Sequence, residues 1–240
     1  MPRIPLIEDH TLGPVPPGTN LLVEYDSASQ WYNASLTMAA GWLKSGGAVD
    51  YNATAQPLAN IRSRLKRLGL EVEILEREGK LELWDWYTVT LGKKSNERLA
   101  VNSLKVADLS IDLLKTELGD QTESDDPSKP ARLGIRDNAS TLARINDEKA
   151  WVEFEVTRAI QVAGLHKSVW IRGVVKGVHS EWVYKRLEDV QDGIIDFKLD
   201  ETTDPAQNLF RIRSMRNVGF DGLWHRLKIG ENFEVTLEQR

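Results

Sequence analysis

The residues of this chain that could do chemistry stand behind a short apolar run near its start. Leu21, Leu22 and Val23 predict a buried strand, and Trp31 to Trp42 predict a helix rich in Ala, Leu and Met. Between them Glu24 to Gln30 form a tight polar loop. A loop that opens a helix in this way is where backbone N–H groups and the helix N-terminus hold a phosphate. The phosphate-binding pattern is Gly, four residues, Gly, Lys, then Ser or Thr. The window in its place runs Tyr25, Asp26, Ser27, Ala28, Ser29, Gln30, Trp31, Tyr32. Tyr25 and Gln30 stand at the glycines, and their Cβ atoms keep the backbone away from a phosphate. Trp31 stands at the lysine and cannot supply its charge. The Tyr32 hydroxyl lies too far from the backbone to replace the Ser or Thr that holds magnesium.

Other polar positions offer less. Asp137 closes the apolar run Leu133 to Ile135, where a carboxylate can hold a metal or cap the following turn. Arg211 and Arg213 share one strand face, with Arg216 just beyond, suited to acidic neighbours within the chain or to a partner's surface. Arg62, Arg64, Lys66 and Arg67 lie off the apolar stripe Leu58, Ile61, Leu65, Leu68, as a solvated basic face or a nucleic-acid surface. His10, His166, His179 and His225 are scattered, with no His-x-x-x-His pair and no cysteine, so no metal site is expected. There is no Gly-x-Ser-x-Gly elbow, so serine hydrolase chemistry is not expected either.

These positions need a scaffold, and the chain has enough for one. Its 240 residues predict one domain over 1–240, and 41% hydrophobic with 28% charged residues supplies an ordinary globular core. The net charge of −5 argues against non-specific nucleic-acid binding while leaving room for a local basic patch. The absence of cysteine removes disulfide and thiolate chemistry and fits a cytoplasmic protein. The start carries no apolar signal region, and no run approaches the ~18 residues of a membrane span. The eight tryptophans fit either a core or contact surfaces.

Strand and helix alternate through the first two-thirds. After the loop and its helix come a strand over Ala48–Ala53, a helix behind Pro57, and a segment over Glu71–Glu78 of undecided type. A strand from Leu81 through Trp84-Asp85-Trp86-Tyr87 and a helix over Val106–Leu118 follow. Residues 119–130 read as a mobile loop. Then come a strand over Leu133–Asp137, a long helix over Asn146–Val162 and a strand over Ser168–Val175. Glu181–Val190 reads as a short helix or strand. Gly193–Leu199, Leu209–Met215, Arg226–Ile229 and Phe233–Leu237 then read as strands in antiparallel hairpins at one edge. The alternation implies a mostly parallel α/β sheet with helices on both faces.

The order of these pieces resembles the RecA-like ATPase core, and within it the KaiC-like branch, from about Gly13 to Leu237. Gly13-Pro14-Val15-Pro16-Pro17-Gly18 is similar to the family's lead-in to its phosphate loop. Tyr51 to Pro57 is similar to the segment that carries an acidic pair, with Ala55 and Gln56 in its place. Leu133 to Leu142 resembles the second nucleotide motif, which would make Asp137 its metal-binding remnant. Leu187 to Ile195 and Phe210 to Arg216 resemble the late hairpins and the basic strand, with Ser214 where a lysine belongs.

The resemblance implies an ATP-hydrolysing scaffold. Each charge-stabilising group missing here is worth roughly a hundredfold or more in rate. The expectation is therefore a chain without catalytic residues that acts by binding proteins: a related ATPase, or itself. Two alternatives stay open. One is a regulator that binds ATP without turnover. The other is a recombinase-like DNA binder using Arg62 to Arg67 or Arg211 to Arg216.

Overall fold

The computed structural model describes residues 2–109, 129–163 and 167–238. Its centre is a nine-stranded sheet. In chain order the elements are β1 (Asn20–Tyr25), α1 (Trp31–Lys44), β2 (Ala48–Ala53), α2 (Leu58–Arg67), α3 (Val72–Arg77), β3 (Leu81–Asp85) and α4 (Tyr87–Thr90). Then follow β4 (Arg132–Arg136), a 3-10 helix (Ala139–Arg144), α5 (Glu148–Ala163), β5 (Ser168–Val175) and α6 (Glu181–Asp189). The chain ends with β6 (Gly193–Asp200), β7 (Gln207–Met215), β8 (His225–Ile229) and β9 (Val235–Leu237).

Across the sheet the order is β3-β2-β4-β5-β1-β6-β7-β8-β9. The pairs from β3 to β6 are all parallel, and those from β6 to β9 are antiparallel. β1, β2 and β5 are buried along nearly their whole length, as strands covered on both faces must be. One apolar layer joins α1 and α2 to the sheet through Trp31, Met38, Trp42, Ile61 and Leu65. The opposite layer gathers Trp86, Leu142, Trp151, Val152 and Val183. A buried ion pair crosses this second layer: Arg136 donates to Glu155 at 2.5 Å, and Arg172 approaches the same carboxylate at 3.4 Å.

Several expectations shift. Glu24 and Tyr25 complete β1 rather than opening the loop, so the loop proper is residues 26–30. β3 stops at Asp85. Its Oδ1 accepts the Thr88 N–H at 2.9 Å and so starts α4, and the Trp86 indole N–H turns inward to Asn52 Oδ1 at 2.9 Å. β6 begins the antiparallel run with β7 as expected, and its other edge joins β1 in parallel, which ties the hairpins to the parallel part of the sheet. Phe233 has φ 64° and sits in the turn before β9. The segment over Glu71–Glu78 forms α3, and Glu181–Val190 forms α6. The loop at 119–130 and the helix over Val106–Leu118 fall largely outside the described residues, as does His166. Among the described residues no helix is long and apolar enough to cross a membrane.

Candidate functional site

Parallel strands expose their carboxyl ends on one side of the sheet, and ligands of such folds bind there. The loop 26–30 leaves β1 at that end, between the neighbouring strands β5 and β6. Two of its backbone donors are already used: the Asp26 N–H by the Phe197 carbonyl at 3.0 Å, and the Ser29 N–H by the Asp26 carbonyl at 2.8 Å. Ser27 and Ala28 are exposed, Ser29 is buried, and the Gln30 side chain accepts from Asn33 at 2.6 Å.

Trp31 opens α1 and lies fully buried. Its indole N–H donates to the Asp137 carbonyl at 2.7 Å. The ring crosses β5 where Gly173 has no side chain; a Cβ there would overlap the indole and the Asp137 carbonyl. Tyr25 and Phe197 flank it, with ring centroids 6.0 and 5.5 Å away. The Tyr25 and Tyr32 hydroxyls are 2.9 Å apart, and Asn138 donates to Tyr32 at 3.3 Å. Burial raises the pKa of both tyrosines, so both are neutral. The space between β1, β5 and α1 is thus filled by rings whose polar ends bond to one another or to the Asp137 carbonyl. Burying each such ring stabilises by about 2–3 kcal/mol.

Asp137 follows β4, one strand removed from β1 because β5 lies between. It is fully buried. Its Oδ1 accepts the Thr54 N–H at 2.8 Å and the Thr54 hydroxyl at 2.5 Å. Burial pushes its pKa up to about 6, against the lowering effect of those hydrogen bonds. The carboxylate is therefore held by the end of β2, facing Thr54.

The basic residues are engaged inside the chain. Arg211 donates to Asp196 at 2.8 Å. Arg213 lies 2.8 Å from both Glu24 and Glu188, and Arg216 donates to the Asp189 carbonyl at 3.1 Å. Burial pushes the Glu24 carboxyl up to about 7, with Glu188 adding to the rise and Arg213 opposing it. On α2, Arg62 pairs with Glu76 and Glu97 at 2.9 and 2.7 Å, and Lys66 pairs with Glu73. Arg64 and Arg67 lie over the Phe233 ring.

Sequence reasoning missed a second group at the same end of the sheet. His179 Nε2 lies 2.8 Å from the Ser140 hydroxyl, and its Nδ1 lies 3.3 Å from Glu148. The order is hydroxyl, imidazole, carboxylate. Burial holds the His179 pKa below its usual value, despite Glu148. The Val175 N–H donates to Ser140 Oγ at 3.0 Å, and Ser180 donates twice to Glu148. The cluster straps the exits of β4 and β5 together, beside a cleft of ≈ 390 Å³ that Arg144 also lines. Its three members come from separate segments, so no local motif announced it.

Strand order, the carboxylate one strand away from the β1 loop, and the antiparallel edge together define a RecA-like α/β fold. No protein-family model matches the sequence, and no curated protein does. Solved structures do. The KaiC-like protein PH0186 from the hyperthermophilic archaeon Pyrococcus horikoshii OT3 matches with a TM-score of 0.69 at 16% identity, over 99% of this chain and 97% of that one. The uncharacterized protein PH0321 from Pyrococcus horikoshii, solved in complex with an unknown peptide, matches with a TM-score of 0.75 at 14% identity, over 95% of each chain. The chain shares its fold with both proteins.

Proposed function

We propose that this protein is a RecA/KaiC-like pseudo-ATPase: it turns over no nucleotide and acts as a protein-interaction or regulatory module. The observation that carries this reading is Trp31. Its ring is buried and hydrogen-bonded to the Asp137 backbone, at the position that our reading aligns with the phosphate-binding lysine. The residues present do not fit a magnesium–nucleotide. The lysine's charge is missing, and two loop donors are spent on the chain itself. The ion pairs on α2 and β7 weigh against a DNA-binding role, since those cations are already neutralised.

The partner in this reading is a protein: a related ATPase or a second copy of the chain. The peptide held by PH0321, which shares this fold, supports a peptide-binding role. Two measurements test the proposal. Tryptophan fluorescence during Mg-ATP titration is expected to stay flat, and phosphate release to stay at background. Co-elution with related ATPases on sizing columns is expected. Saturable ATP binding with turnover abolished by Asp137→Ala would overturn the reading.

A further inference from the structure

Two of the histidines that look scattered in the sequence meet in space. His10 belongs to the N-terminal segment and His225 opens β8. Their rings stack with centroids 3.6 Å apart and an interplanar angle of 27°. Asp221, from the connection between β7 and β8, completes the group. Its Oδ2 lies 3.7 Å from His10 Nδ1 and 3.1 Å from His225 Nε2. All three donor atoms lie within 4.8 Å of one another.

The backbone presents these donors rather than leaving them on loose side chains. The Asp221 N–H donates to the His10 carbonyl at 2.9 Å, and the Leu12 N–H to the Gly219 carbonyl at 2.7 Å. Thr11 and Phe220 form a bridge between those bonds. His225 is paired with Phe210 of β7. Asp221 Oδ1 accepts the Leu223 N–H at 2.8 Å, which turns Oδ2 toward the two rings.

Hydrogen bonding alone does not account for this geometry. His225 Nε2, though 3.1 Å from Oδ2, makes no hydrogen bond among the described residues; the approach is off-line. A divalent ion would give that nitrogen a partner. Zinc binds imidazole nitrogen and carboxylate oxygen at about 2.0–2.2 Å in a tetrahedron, which sets neighbouring donors about 3.4 Å apart. The two nitrogen–oxygen separations, 3.1 and 3.7 Å, bracket that value. The side chains of His10 and His225 are 15% and 13% exposed, while Asp221 is 39% exposed and leaves an approach from solvent.

We propose that His10, Asp221 and His225 form a binding site for a divalent transition metal of the zinc type, with three protein ligands and a fourth position open to water. The donor set of two nitrogens and one oxygen suits zinc, cobalt or nickel and disfavours magnesium, which prefers an all-oxygen shell. A bound ion would fasten the N-terminal segment to the β7–β8 edge.

The test uses the full chain without a polyhistidine tag, stripped of metal with a chelator. Calorimetric titration with Zn²⁺ is expected to show one equivalent bound, and Co²⁺ to give the visible absorption of a tetrahedral site. Mg²⁺ is expected to produce neither. Asp221→Asn keeps the acceptor for Leu223 and removes a charged ligand, so its metal-free melting temperature should match the parent's. Its Zn²⁺ affinity, and that of His225→Ala, should fall at least about tenfold. Absence of stoichiometric binding overturns the proposal, and so does binding that survives unchanged in Asp221→Asn.

Discussion

The β1–α1 loop and the His10–Asp221–His225 junction are two polar corners of one molecule with opposite contents. At the loop, where a nucleotide-binding fold keeps open space and free donors, the chain supplies its own filling. Trp31, Tyr25 and Tyr32 occupy the volume and bond to the protein. At the junction, which no motif marks, ligand atoms converge without a filler. A line of rings joins the two: His225, His10, Phe210, Phe197, Trp31, Tyr25 and Tyr32, each within 6.1 Å of the next. The difference teaches that residue type alone does not tell what a polar corner holds; the geometry of the groups around it does.

Trp31→Ala is the most direct attack on this contrast. Removing a fully buried ring that also anchors the Asp137 carbonyl should cost about 3–5 kcal/mol. For a chain of this size that lowers the melting temperature by about 10 °C. A calorimetric scan that shows little change would mean the ring is not the filling described. Gly173→Val approaches the same contact from the β5 side. Its side chain would collide with the indole, and a loss of about 1–3 kcal/mol in urea unfolding is expected.

The smallest effect has the opposite sign. Asp137 has a folded pKa of about 6 against an ordinary 3.8, so between those values the folded chain binds more protons than the unfolded one. Stability then falls as pH rises through that window and levels off above it. Asp137→Asn keeps an acceptor for Thr54 and removes the charge. It should flatten the slope and gain about 1 kcal/mol at pH 8, read from melting curves taken at several pH values. A variant with the parent's slope would show that Asp137 is ionised in the fold at no cost.

Much of the scaffold was legible in sequence because strand and helix periodicity are local. The Ala48–Ala53 and Ser168–Val175 runs appear as β2 and β5 with those bounds, and the stripe behind Pro57 as α2. Errors arose where a long-range partner decided the outcome. Trp84 to Tyr87 looks like continuous strand, but the Trp86 indole reaches Asn52 and the chain turns. β6 is the first strand of an antiparallel hairpin with β7, as its pattern suggests, but only the fold shows that its other edge joins β1 in parallel. Arg211 and Arg213 could face a partner on sequence alone; Asp196 and Glu24 lie close enough to take them.

The sequence by itself determined the alternation of elements and that no lysine or glycine stands between Tyr25 and Tyr32, since both are written in neighbouring residues. Only the tertiary structure decided that the Trp31 indole turns inward onto the Asp137 carbonyl, and that His10 and His225 stack beside Asp221. The physical reason is distance along the chain. Periodicity encodes which face of an element is buried, but which remote atoms meet there depends on how the sheet orders its strands.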